Sequence, residues 1–383
     1  MVHRLLTEKV EAALGKYPVV AITGPRQSGK TTFAQLIRPD YQYVNLEDIS
    51  MRDFAQSDPK AFLERYQDGA IIDEIQYVPD LFSYLQVYTD QRQRRGEYMI
   101  TGSQNFLMME RISQSLAGRV ALFNLLPFSL QELTNSSFPL KSWEEYLLAG
   151  SYPRKWAQQI EASEYYGNYL RTYIERDVRL IKNIINLGLF QRFLQLLAGR
   201  VGQLFNQSGL GTELGVDNKT VDSWMTLLEV SFIAFRLQPY YKNFSKRVVK
   251  TPKVYFYDTG ILCALLGIRS ESELAIHFAK GQLFENLVIL EMLKNKFNQS
   301  VAGDFYFWRE SNGQEIDLII DQGVQVKAFE IKSGKTIQPT FFKALNRFSE
   351  LYDATQPYLI YGGNDYQERS QATVMGVFDL HKV

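Results

Sequence analysis

The sequence predicts an α/β chain: a parallel sheet with crossover helices, then a helical segment, then a second α/β region. Three observations predict it. Short apolar runs alternate with helical stretches before about residue 135. Helical patterns then dominate from Trp143 to about Glu229. Beyond Pro239 extended runs return around one helical stretch.

In order, Val19–Thr23 is an apolar run ahead of a glycine-containing loop and reads as a buried strand. Thr31–Ile37 reads as a helix stopped by Pro39. Tyr43–Leu46, Ala70–Ile72 and Tyr98–Thr101 are further strands, and their alternation with helices calls for a parallel sheet. The polar, turn-rich stretch Thr134–Pro139 marks the first boundary. The aromatic-rich Tyr165–Val178 reads as a helix-packing face. Later come a strand at Lys253–Tyr257, a helix at Phe284–Lys296, and strands at Phe305–Trp308, Ile316–Ile320 and Ala328–Lys332. The expected domains are 1–135, 136–260 and 261–383.

Lysine plus arginine equals aspartate plus glutamate at 42 each, so any basic surface is local. One cysteine, Cys263, excludes an internal disulfide framework, and three histidines leave little for a zinc site. This composition suits a reducing cytosol. Glu8, Lys9 and Glu11 interrupt the N-terminal apolar residues, so no signal peptide is expected. No apolar run reaches the roughly eighteen residues of a membrane helix.

The segment Gly24-Pro25-Arg26-Gln27-Ser28-Gly29-Lys30-Thr31 fits G-x-x-x-x-G-K-[S/T] at every fixed position, between a strand and a helix. The glycines admit left-handed backbone and close approach to phosphate oxygens. The loop amides and the following helix N-terminus form an anion nest, which extends the expected nucleotide contacts to Thr32. Lys30 is expected to reach the β- and γ-phosphates and Thr31 to ligate Mg²⁺. Asp73 and Glu74 end the apolar strand at Ala70–Ile72. Asp73 is expected to hold Mg²⁺ and Glu74 to activate the attacking water. Ser103 and Gln104, after the next strand, are candidate sensors of the γ-phosphate. Arg119 is a candidate for transition-state charge, in cis or from a neighbouring copy. No guanine-reading Asn-Lys-x-Asp motif is present, which favours ATP over GTP.

Thr212–Val221 has the rhythm of a helix-turn-helix, with Asp217 capping a second helix to about Leu228. The acid-free stretch 242–253, with Lys242, Lys246, Arg247, Lys250 and Lys253, is a candidate wing for nucleic-acid phosphates. Against it, Asp217, Asp222 and Glu229 outweigh Lys219 on the second helix. Further on, Asp317 precedes Leu318–Ile320, and Glu330-Ile331-Lys332 puts two polar side chains on one strand face. With Glu285 on the preceding helix, these make a PD-(D/E)xK nuclease pattern. Asp317 and Glu330 would ligate Mg²⁺, Glu285 would assist, and Lys332 would meet the scissile phosphate.

Taken together, Thr23–Thr31, Ile72–Gln76, Ile100–Ser103, Ser115–Arg119, Leu126–Phe128, Tyr173–Asp177, Val254–Gly260 and Gly281–Glu285 resemble a prokaryotic family. Its members join an AAA-type ATPase domain (AAA_14) to a C-terminal DUF4143 domain. The resemblance implies a P-loop NTPase domain, a winged-helix segment and a restriction-endonuclease-like C-terminal fold. It also implies that Arg119 serves the nucleotide. The expected activity is Mg²⁺-dependent ATP hydrolysis that moves the C-terminal domains on an unknown substrate. An ATP-regulated nuclease acting on DNA or RNA and a nucleotide-sensing scaffold are the alternatives. A cytoplasmic protein, with no membrane partner and able to form homo-oligomers, is expected.

Overall fold

The computed structural model describes residues 2–103, 111–112, 114–138, 140–172, 186–240, 249–299 and 303–383. Gln104, the segment Tyr173–Asp177 and the wing residues Lys242, Lys246 and Arg247 lie outside these described residues. Two compact units divide the chain: Met1–Phe128 with Phe297–Gln299, and Ser129–Lys296 with Ser300–Val383.

The first unit is a parallel sheet of five strands: β1 (Val19–Thr23), β2 (Gln42–Asn45), β3 (Ala70–Asp73), β4 (Tyr98–Gly102) and β5 (Val120–Asn124). Their order across the sheet is β2-β3-β4-β1-β5. α1 (Thr7–Leu14) precedes β1, and α2 (Lys30–Ile37), α3 (Ile49–Ser57), α4 (Pro59–Arg65) and α5 (Leu81–Arg92) lie in the crossovers between β1 and β4. Alternate residues of β1 serve the two faces, which is why it reads as an unbroken apolar run. Val19 and Ala21 join Phe62, Leu63, Leu81 and Leu85. Val20 and Ile22 join Val10, Phe33 and Met99 on the other face. β5, half-buried throughout, is a strand not evident from its sequence.

The second unit begins with helices α6 (Leu130–Thr134), α7 (Trp143–Ala149), α8 (Pro153–Ala157), α9 (Ala162–Thr172), α10 (Leu187–Ala198), α11 (Gln207–Leu214) and α12 (Asn218–Val230). Tyr165, Tyr166 and Tyr169 of α9 are buried around Tyr152, as expected of a packing face. α11 ends on Gly215 in left-handed backbone, and the Asp217 carboxylate caps α12 by accepting from the Thr220 amide at 2.6 Å. Strands β6 (Ala234–Pro239) and β7 (Lys253–Phe256) then pair antiparallel.

After α13 (Thr259–Leu266) and α14 (Glu271–Ile276) come α15 (Lys280–Gln299), β8 (Asp304–Arg309), β9 (Glu315–Asp321), β10 (Val326–Lys332), α16 (Lys343–Leu351) and β11 (Thr355–Tyr361). β8, β9 and β10 are successive antiparallel neighbours, and β11 lies parallel to β10. With β12 (Gln367–Glu368) and β13 (Thr373–Gly376), the sheet order is β12-β13-β11-β10-β9-β8-β6-β7. This one sheet therefore takes in strands from both sides of residue 260. Among the described residues, no helix is long and apolar enough to cross a membrane.

Candidate functional site

In the first unit the loop Gly24–Gly29 leaves the carboxyl end of β1, a strand flanked by β4 and β5, and ligands of open α/β sheets bind outside the carboxyl ends of the strands. Gly24 takes φ +148°, and a Cβ there would lie 2.3 Å from the Leu125 carbonyl oxygen. Gly29 is left-handed at φ +91°. These two positions require glycine for backbone reasons. Arg4 braces the loop from behind: its guanidinium donates to the Ser28 carbonyl at 3.2 Å and to the Leu126 carbonyl.

Lys30 is buried and donates to the carbonyls of Gly24 at 3.1 Å and Pro25 at 2.8 Å. Burial pushes its pKa down to about 8, against the pull of Glu74 and Asp73, while Arg26 adds to the lowering. The Ser28 hydroxyl is buried and has no partner among the described residues. Thr32 is exposed.

Asp73 accepts from three hydroxyls. Thr31 donates at 2.7 Å, Tyr43 at 2.9 Å, and Thr101 completes the set. β3 lies between β2 and β4, so Tyr43 and Thr101 reach the carboxylate from either side. Burial, and then Asp73, push the Tyr43 phenol up. Glu74 sits in left-handed backbone at φ 56°. Its carboxylate accepts from Ser103 at 3.1 Å and from the Gln76 amide. Ser103 therefore faces the expected base. Tyr43 and Arg4 are site residues that no local motif announces, and Thr101 and Gln76 lie in the family-like segments Ile100–Ser103 and Ile72–Gln76 without a role read for them.

The loop fits a nucleotide triphosphate: a buried ammonium and a partnerless hydroxyl line it. Thr31 and Asp73 offer adjacent hard oxygens of the kind Mg²⁺ takes.

Arg119 is elsewhere. Its carbonyl accepts from the Val19 amide, at the start of β1, whereas the phosphate loop follows the end of β1. Its guanidinium pairs with Asp90 through two bonds of 2.5 and 2.8 Å.

The second unit gathers Asp317, Glu330 and Lys332. The Lys332 ammonium meets Glu330 at 2.5 Å, Asp317 at 3.5 Å and the Ile331 carbonyl at 3.2 Å. The Asp317 carboxylate also accepts from the Ile331 amide at 2.8 Å. Glu330 Oε2 is buried without a partner among the described residues, an observation that fits a cation at this pair. Burial, and then Asp317, raise Glu330 to about 8.

Glu285 is engaged differently from expectation. It accepts from Lys253 at 3.1 Å and from the Tyr255 hydroxyl, and burial raises it to about 7. Among the described residues no three His, Cys, Asp or Glu side chains form a metal-holding group. Glu285, though bonded to Lys253, also interacts electrostatically with Asp317, Glu330 and Lys332, so the four expected side chains share one electrostatic cluster.

Within the stretch 242–253, Lys253 itself does not face solvent as a phosphate-gripping wing residue would. It is 2% exposed and bridges Glu285 and Glu315. Burial works against its charge, but Glu285, Tyr255 and Glu315 hold its pKa well above the ordinary value. Of the described basic residues in that stretch, Lys250 alone is exposed. On α12, Asp222 and Glu229 are taken up by Arg236 at 2.6 Å each.

A family profile described as an AAA domain matches residues 16–134. Domains of unknown function match residues 140–272 (DUF8612) and 280–380 (DUF4143). Uncharacterized proteins of Mycobacterium tuberculosis and Mycobacterium bovis are each 30% identical over 331 residues, covering 86% of this chain and 73% of theirs. Among solved structures, a Walker-type ATPase of Pyrococcus abyssi aligns at 12% identity and a TM-score of 0.42, over 68% of this chain and 94% of that one. RuvB of Thermotoga maritima aligns at 17% identity and a TM-score of 0.30, over 60% and 88%. With these domains in this order, and mycobacterial relatives matched over most of their length, the chain belongs to the family that joins an AAA-type P-loop domain to a C-terminal DUF4143 domain.

Proposed function

We propose that the first unit binds ATP with Mg²⁺ and hydrolyses it. One observation carries this: the Thr31 hydroxyl lies 2.7 Å from Asp73, next to a buried Lys30 that is electrostatically coupled to both Asp73 and Glu74. The loop amides and Lys30 hold the β- and γ-phosphates. Thr31 and Asp73 hold the metal, which when bound neutralises phosphate charge. Glu74 takes a proton from the attacking water. Ser103, bonded to Glu74, keeps that base aimed. Glu74→Gln is expected to retain ATP binding and lose turnover, read by nucleotide retention and phosphate release. Undiminished phosphate release would sink the assignment of the base.

In this reading the division into 1–135, 136–260 and 261–383 is functional, and hydrolysis in the first part moves the other two. Residues 207–256, two helices joined at a glycine turn and followed by an antiparallel strand pair, fit a winged-helix segment. A second reading, nuclease activity in the C-terminal part, is favoured by the partnerless Glu330 Oε2 beside Asp317 and Lys332. The helix-three strands-helix-strand run from α15 to β11 suits it too. Asp317 and Glu330 would hold Mg²⁺ there, and Lys332 would leave them to meet the scissile phosphate. Incubating the full chain with Mg²⁺ and DNA or RNA, with Asp317→Ala as the inactive control, decides this reading.

A further inference from the structure

We propose that Gln76 is a water-positioning residue of the first unit: its amide nitrogen fixes Glu74, and its amide oxygen accepts from the water that Glu74 activates. This rests on the ATP-hydrolysis reading above and deepens it. Three observations point there. First, the backbone is bent to bring the two side chains together. Glu74 takes left-handed φ and ψ of 56° and 45°, and a short 3-10 turn, Ile75–Tyr77, follows at once. A non-glycine residue in that region marks local strain, which tertiary structure sustains where the placement serves a purpose.

Second, the chemistry of the contact fixes which way the amide faces. The Gln76 amide donates to Glu74 Oε2. An ionised carboxylate can only accept, so the nitrogen must face it. The amide oxygen then points away from that bond, yet one amide carbon joins the two atoms, so the oxygen stays beside the Glu74 carboxylate.

Third, that oxygen has no partner among the described residues. Gln76 is 7% exposed, and its Oε1 is buried without a hydrogen bond. Buried amide oxygens are satisfied in most folded proteins, and an exception beside a candidate base calls for a donor supplied by the substrate or the reacting water. Ser103 and Gln76 both bond Glu74 Oε2, which leaves Oε1 for the proton.

The water's oxygen forms its bond to the γ-phosphorus and gives one proton to Glu74. The bond from that phosphorus to the β,γ-bridging oxygen breaks, and its electron pair leaves with ADP. Gln76 gains and loses nothing. It accepts the hydrogen bond of the water's second proton, which fixes the direction of attack.

The test is single-turnover hydrolysis by the full chain with radiolabelled ATP and Mg²⁺, alongside titration with a fluorescent ATP analogue. Gln76→Ala is expected to slow hydrolysis about 10- to 100-fold, the span that misplacing a reacting group produces, with nucleotide affinity within about twofold. Glu74→Gln with Gln76→Ala separates the roles. If Gln76 touches the water, the double variant falls below the residual rate of Glu74→Gln. If Gln76 acts only by fastening Glu74, the two rates coincide and the proposal is overturned, as it is if Gln76→Ala hydrolyses normally. Gln76→Leu, of similar volume, replaces the alanine variant if that one loses nucleotide binding. Loss of binding in both makes Gln76 structural and also overturns the proposal. Normal hydrolysis by Glu74→Gln alone would instead bring down the underlying reading of the site.

Discussion

Lys30 carries a charge that its own surroundings disfavour, since burial pushes its pKa down to about 8. The free site therefore loses the ammonium as pH rises through 8 and above. A polyphosphate favours the charged form, so binding draws a proton onto Lys30. ATP affinity is thus expected to be flat near pH 7 and to fall above about pH 8, by up to about tenfold per unit. Titration with a fluorescent ATP analogue between pH 7 and 9.5 reads this, and Lys30→Met should remove the slope. An affinity that stays level or rises with pH would contradict the placement of Lys30 on the phosphates. Such local roles were legible in the sequence because Gly24, Gly29, Lys30 and Thr31 lie within one loop and Asp73 and Glu74 end one strand. Tyr43 and Thr101 were not, because only the order of β2, β3 and β4 places their hydroxyls on the Asp73 carboxylate.

At the scale of elements, β7 shows how one lysine of an acid-free run can be taken inward. Lys253 follows the basic stretch that begins at Lys242, and such a stretch reads as a solvated, phosphate-binding face. Its partners come from far along the chain, Glu285 on α15 and Glu315 at the start of β9, and only the folded sheet reveals them. Asp217 was the opposite case, since an N-cap is a local signal and the helix it caps begins where the sequence places it. The burial of Lys253 carries a prediction. Removing one partner of a buried ion pair leaves an uncompensated charge, which costs about 3–5 kcal/mol. Arg309 stays 3.2 Å from Glu315, so the orphaned charge is chiefly Glu285. Lys253→Met is expected to lose stability at the lower end of that range, seen as faster hydrogen exchange in β7 and α15. Adding Glu285→Gln should recover part of the loss, because it removes the stranded charge. Unchanged exchange in Lys253→Met would show that the bridge contributes nothing net.

At the scale of the whole molecule, the fold keeps Arg119 away from its own phosphate loop. β1 and β5 run parallel in register from Val19 beside Val120 to Thr23 beside Asn124. Arg119 therefore stands at the amino ends of these strands and the phosphate loop at their carboxyl ends. Five strand residues span about 16 Å, more than an arginine side chain can bridge. The sequence left open whether Arg119 acts in cis or in trans because the pairing of β5 with β1 fixes which strand end it occupies, and β5 carries no strong strand signal. Within one copy Arg119 is kept from the phosphate loop, so a role in the proposed hydrolysis calls for a second copy whose Arg119 meets that loop. Specific ATPase activity should then rise with protein concentration. Arg119→Ala and Lys30→Ala should each be inactive alone and regain activity when mixed, because the first keeps an intact phosphate loop and the second can lend its arginine. Transition-state arginines contribute about 10³–10⁵ in rate, so even a minority of mixed assemblies would stand out. If mixing restores nothing, or if Arg119→Ala hydrolyses ATP at the full rate, then Arg119 serves only its ion pair with Asp90.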